Sequence, residues 1–148
     1  MPETLDAAAL RRWCAGALAA LRRQQTEING LNVYPVPDGD TGTNLVLTLA
    51  SAERALARQV ESARAPADPA AADAPPGRVL RLLARGALLG ARGNSGVIVA
   101  QLLGGLSDAL GDLPEIRGRA LAAGLGAARR AAYAAGSQPV EGTVLSVA

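Results

Sequence analysis

Asp38 and Asp40 stand on either side of Gly39, in a run that reads Pro37-Asp-Gly-Asp-Thr-Gly-Thr-Asn44. Two carboxylates this close on a turn offer hard oxygen ligands of the kind magnesium takes, alongside phosphate oxygens and waters. A plain turn held by Asx hydrogen bonds is the alternative, since Asp and Gly are common turn residues. A calcium loop of the EF-hand kind does not fit. Counted from Asp38, positions 5, 6 and 12 hold Gly42, Thr43 and Leu49 where that loop needs an oxygen ligand, a glycine and a glutamate. A second glycine-rich break, Gly90-Ala-Arg-Gly-Asn-Ser-Gly96, carries Arg92, Asn94 and Ser95. Ser95 suits either of two roles there: capping the next helix, or holding phosphate through its hydroxyl and N–H. A third break places Glu141, Gly142 and Thr143 ahead of one more helix start.

These loops need helices to hold them. Thr4 is a suitable N-cap with Asp6 in the first turn, and Leu10, Trp13, Cys14, Ala17, Leu18 and Leu21 then recur at helical spacing to about Gln25. Ile28 to Asn44 reads as non-helical, because Pro35 and Pro37 hold their predecessors extended. Leu45, Leu49, Ala52 and Leu56 mark a second helix over about 43–58. Residues 60–77 are poor in large apolar side chains and contain Pro66, Pro69, Pro75 and Pro76, which predicts an exposed, flexible loop. Further helices are expected over about 78–89, from Ser95 or Gly96 to Leu110, over about 114–135, and from Thr143. No strand-like alternation of useful length occurs. The last helix is barely begun when the chain stops, which reads as a truncated domain. Each glycine-rich break precedes a helix start, where unpaired N–H groups and a partial positive charge attract anions.

Composition narrows the chemistry. At 148 residues, with 49% hydrophobic and 19% charged residues, the chain fits one globular domain. Aromatics are 2%, so Leu, Val and Ala must form the core, with Trp13, Tyr34 and Tyr133 as the few large pieces. All 15 basic residues are Arg. The absence of Lys excludes a P-loop lysine and the phosphate-binding lysine of protein kinases. The absence of His excludes imidazole bases and ligands. The net charge of +2 and the few aromatics argue against nucleic-acid binding. The single Cys14 excludes an intrachain disulfide and reads as a small buried hydrophobe. No signal peptide opens the chain and no uninterrupted apolar run reaches membrane-span length, so the expectation is a cytoplasmic protein.

The run Leu31-Asn-Val-Tyr-Pro-Val-Pro-Asp-Gly-Asp-Thr-Gly-Thr-Asn44 resembles the signature of the fatty acid kinase branch of the dihydroxyacetone kinase L family. Gly90-Ala-Arg-Gly-Asn-Ser-Gly-Val-Ile98 resembles that family's second motif, and Pro139-Val-Glu-Gly-Thr-Val-Leu145 its third. The three occur in family order over about a fifth of the chain. The resemblance implies an all-α fold, a barrel or bundle of antiparallel amphipathic helices with ATP at one end, spanning residues 1–148. It implies that Asp38 and Asp40 hold two magnesium ions on the ATP phosphates. A third family carboxylate is missing, and Asn32 is the nearest oxygen ligand in its place. Thr41, Thr43 and Asn44 would lie near the nucleotide, Gly93, Asn94 and Ser95 would hold phosphates, and Thr143 would stand close by.

The implied reaction is phosphoryl transfer to an acyl carboxylate. It would need a DegV-type lipid-binding partner to present the substrate, and further domains of the kinase. Pairing of two copies is compatible with the same picture. A dihydroxyacetone-type acceptor, a nucleotide-binding regulatory module without turnover, and a purely structural bundle remain as alternatives. No residue stands out as a general base.

Overall fold

The computed structural model describes residues 4–33, 37–63 and 74–135. Within them are five helices: α1 (Ala7–Leu31), α2 (Thr41–Ala63), α3 (Pro76–Gly90), α4 (Gly93–Leu110) and α5 (Gly118–Ala135). Two short strands, β1 (Thr4–Leu5) and β2 (Ile116–Arg117), pair antiparallel, Thr4 against Arg117 and Leu5 against Ile116. The fold is all-α, as expected. A two-residue ribbon is too short to leave an alternating pattern in sequence.

Several boundaries differ from expectation for local reasons. Asp6, not Thr4, caps α1: its carboxylate accepts from the Ala9 N–H at 2.6 Å, while Thr4 is drawn into the ribbon. The same helix continues past Gln25 to Leu31, because Asn29 is anchored on the next helix, as described below. Pro76 is the first residue of α3, where its missing N–H costs nothing. Two pieces of the expected loop over 60–77 are ordered: α2 continues to Ala63, and Ala74, Pro76 and Gly77 are buried. The rest of that loop, 64–73, lies outside the described residues, as does the sixth helix expected from Thr143. The fourth helix begins at Gly93, ahead of Ser95, so Ser95 is its third residue and Arg92 is its cap.

Successive helices run antiparallel, and glycines set how closely they approach. A Cβ on Gly42 would meet the Gln25 carbonyl oxygen at 2.5 Å, joining the start of α2 to the end of α1. Gly86 lies against Ala52 and Ala55, and Gly90 against Ser51, so α3 ends beside the middle of α2. Gly105 sits on Ala128, and Gly124 on Leu110, fixing α4 against α5. The core is aliphatic: Leu10, Leu18, Leu49, Leu83, Leu103 and Ile116 are all buried in one cluster. Burying a Leu or Ile side chain contributes about 1.5–3 kcal/mol. Cys14 is fully buried, as its place in the apolar pattern predicts. Trp13 is not a core residue: it is 52% exposed, because the narrow stripe Leu10, Cys14, Leu18 faces inward and Trp13 lies to its side. Tyr34 lies outside the described residues.

Candidate functional site

At one end of the bundle α1 and α3 finish while α2 and α4 begin. The acidic loop and the second glycine-rich loop therefore meet there. Gly39, between the two aspartates, has φ of +66°, a conformation that glycine adopts without the Cβ penalty. Asp38 and Asp40 are both exposed. Asp40 immediately precedes α2, and its carbonyl accepts the Asn44 N–H at 2.9 Å. Asn32, which follows the last residue of α1, donates its amide N–H to Asp38 Oδ1. The structure thus brings Asn32 to Asp38, through its nitrogen, which steadies the carboxylate.

The donor set suits magnesium. Two exposed carboxylates on either side of a glycine turn leave room for the waters and phosphate oxygens that complete its shell. Among the described residues, no group of three or more His, Cys, Asp or Glu side chains is placed to hold a metal by itself. An ion at Asp38 and Asp40 would therefore need ligands from a bound phosphate or from solvent.

Thr43, expected near the nucleotide, is tied at the start of α2 to the last turns of α1. Its N–H donates to Asn29 Oδ1 at 3.1 Å, and its hydroxyl oxygen accepts from Asn29 Nδ2 and from Gln25 Nε2, each at 3.0 Å. The carboxamide of Asn29 grips both polar atoms of Thr43 and binds the first turn of α2 to the last turns of α1. Thr41 opens α2 and is half-buried.

Asn44 joins the two loops. Gly93 has φ of +60°, and a Cβ there would overlap the Asn44 carboxamide. Gly93 therefore meets two demands, the left-handed backbone and the close approach. Asn94 is exposed and Ser95 half-buried. The start of α4 carries no side-chain cap, so its first-turn N–H groups, on Gly93, Asn94 and Ser95, are unclaimed by a capping side chain. The guanidinium of Arg92 donates to the neighbouring Ala91 carbonyl at 3.2 Å and is exposed.

Beneath the loops lies Thr48, fully buried. Its hydroxyl donates to the Asn44 carbonyl at 2.7 Å and accepts the Arg92 N–H at 3.2 Å. Asn29, Gln25 and Thr48 were not singled out in sequence. For Thr48 a signal exists: it lies on the apolar stripe of Leu45, Leu49 and Ala52, where a hydroxyl is out of place. Asn29 falls in a segment read as non-helical, which hid its alignment with α2. Thr143 and the third motif lie outside the described residues.

A family model described as the DAK2 domain matches residues 35–148, a stretch that starts just ahead of Asp38 and includes all three glycine-rich loops. The chain belongs to the DAK2 domain family. Protein YloV of Bacillus subtilis is 41% identical over 146 residues, covering 99% of this chain and 24% of YloV. Protein SSP1546 of Staphylococcus saprophyticus and protein SAUSA300_1119 of Staphylococcus aureus are each 40% identical over 121 residues, covering 82% of this chain and 20% of the relative. This DAK2 domain thus spans about a quarter or less of the length of the curated relatives it matches. The resemblance to the dihydroxyacetone kinase L family, read from three short motifs, holds across most of the chain. Membership in this kinase-associated family supports a nucleotide-binding, kinase-type module with a phosphotransferase-related role, and ATP and magnesium binding in general. Among the described residues no helix of the DAK2 domain is long and apolar enough to cross a membrane.

Proposed function

We propose that this DAK2 domain binds ATP with magnesium at the end of the bundle where α2 and α4 begin, and serves a kinase that phosphorylates a fatty acid carboxylate. The observation that carries the reading is the seating of Asn44 on Gly93. It puts the acidic loop and an uncapped helix N-terminus side by side, an arrangement suited to metal and phosphate together. In this reading Asp38 and Asp40, with Asn32 beside them, hold magnesium. Thr41 and Asn44 line the nucleotide side, and the backbone of Gly93, with Asn94 and Ser95, takes phosphate oxygens. Bound magnesium would offset charge on the β- and γ-phosphates. The domain's own residues would orient the triphosphate, and positioning with charge neutralisation is most of what phosphoryl transfer asks of a protein. Thr43, tied to Asn29, would stand near the nucleotide beside Asn44. The product would be an acyl phosphate, with the acyl chain presented by a DegV-type carrier and the other machinery supplied by further domains.

A second reading, nucleotide binding without turnover in this domain alone, draws on the small number of acids. Among the described residues no third carboxylate joins Asp38 and Asp40. Calorimetric titration with a non-hydrolysable ATP analogue, with and without magnesium, tests the site. Binding is expected to require magnesium and to be lost in Asp38→Ala and Asp40→Ala, with helical circular dichroism unchanged. Normal binding by both variants would put the site elsewhere. Acyl phosphate formation by the full protein with a loaded carrier separates the kinase from the binding module.

A further inference from the structure

We propose that the Thr48 hydroxyl is a positioning group for the nucleotide site, setting the register between the α2 end that carries the acidic loop and the start of α4. The inference rests on the nucleotide-binding reading above and names what holds its two halves in place.

Thr48 is the fully buried polar side chain of the core among the described residues, which is otherwise built from Leu, Val, Ala, Ile and Cys. A buried hydroxyl is costly unless both its donor and its acceptor are used. Valine would fill nearly the same space with nothing to satisfy, so packing alone does not explain the oxygen. Its two bonds do. The hydroxyl proton goes to the Asn44 carbonyl on its own helix, at 2.7 Å. The oxygen accepts the Arg92 N–H at 3.2 Å, across 44 residues of sequence.

Arg92 is the cap residue of α4, and its carbonyl in turn accepts the Gly96 N–H at 3.0 Å. Gly96 lies directly on the Thr48 hydroxyl, where any Cβ would collide, so α4 starts as close to α2 as backbone allows. Asn44, whose carbonyl Thr48 holds, is the residue seated on Gly93. One oxygen thus touches both sides of the joint between the loops. Losing the Arg92 bond frees the cap, and with it the direction of the N–H groups of Gly93, Asn94 and Ser95 relative to Asp38 and Asp40. A ligand that bridges the two loops feels such a shift on both sides, because its contacts need both loops held in one geometry.

The test compares Thr48→Val, Thr48→Ser and Leu110→Ala. Leu110 is buried at the far end of α4, so its loss destabilises the bundle without touching the loops. Each variant is titrated with the magnesium complex of a non-hydrolysable ATP analogue, at a temperature where circular dichroism shows it folded. Thr48→Val should weaken binding by about tenfold or more, while Thr48→Ser and Leu110→Ala bind like the parent. Hydrogen exchange without nucleotide should show the amides of residues 92–96 exchanging faster in Thr48→Val, with the middle of α4 unchanged. Parent-like affinity in Thr48→Val, or equal weakening in Leu110→Ala, would overturn the proposal. Failure of the parent to bind would instead sink the nucleotide reading. In that event unchanged exchange at residues 92–96 would reject the Thr48 tie, and faster exchange would leave it standing as the joint between the loops.

Discussion

Single residues at this site owe their roles to what lies opposite them. Gly93 is needed because Asn44 occupies the place of its Cβ and because its backbone is left-handed. Thr43 belongs to the acidic motif in sequence, yet in space it is the grip for Asn29 and Gln25. Cys14 shows the same dependence on surroundings in its titration. Burial, and secondarily the charge of Glu53, push its thiol up from 9.0 to about 11. The sign follows directly. Between these values the unfolded chain has lost the thiol proton and the folded chain still holds it, so stability falls as pH rises through that window. Below pH 9 both states keep the proton and the contribution is constant. Urea denaturation at pH 8 and pH 10.5 should show a drop in the parent that is smaller in Cys14→Ala. Few other groups complicate the comparison, since the chain has no Lys and two Tyr. An equal drop in both proteins would assign the slope to other groups.

Among the elements, α4 joins the site to the outer helix: it begins at the site and contacts α2, α3 and α5. Its two adjacent glycines face different surroundings. Nothing lies within 4 Å of a Cβ at Gly104, whereas one at Gly105 would meet the Ala128 Cα at 2.6 Å. Gly104→Ala should therefore stabilise by about 0.5–1 kcal/mol, through the helix preference for Ala. Gly105→Ala should destabilise by about 1–3 kcal/mol, as α5 is pushed away. Denaturant midpoints of the two variants measure this: a rise in both would mean that α4 and α5 pack more loosely at Gly105, and a fall in both that Gly104 is not in open space. The N-terminus of α4 could not be placed from sequence for a related reason. Ser95 is a good cap by type, but Arg92 takes that place because its N–H is held by Thr48. A tertiary hydrogen bond overrode a local preference.

For the molecule as a whole, stability is distributed unevenly. Helix α2 packs against α1, α3 and α4, while α5 packs mainly on α4 and touches β2. The β1–β2 ribbon adds a short tie at the end away from the site. Native-state hydrogen exchange should show α5 opening at lower free energy than α2. Equal protection of the two would mean that they unfold as one unit. The acidic half of the candidate site sits on the better-held side, since Asp40 immediately precedes α2 and Asn44 and Thr48 lie within it.

Local chemistry carried much of this into the sequence. Apolar spacing marks the five described helices, because burying one face leaves a periodic record. The glycine-rich loops and the Asp-Gly-Asp turn mark where the chain must bend and where oxygen ligands gather. The family was legible for the same reason, since its motifs are short and contiguous. What tertiary structure decided is what depends on residues far apart in the chain. Asn44 on Gly93, Thr48 on Arg92 and Asn29 on Thr43 span 49, 44 and 14 positions, and each is a contact between helix ends. No periodicity records such contacts, because a polar side chain in a helix looks the same whether it meets water or the start of another helix. The exposure of Trp13 was hidden likewise: the spacing of α1 admits it to the apolar face, and only the placement of the neighbouring helices leaves it outside.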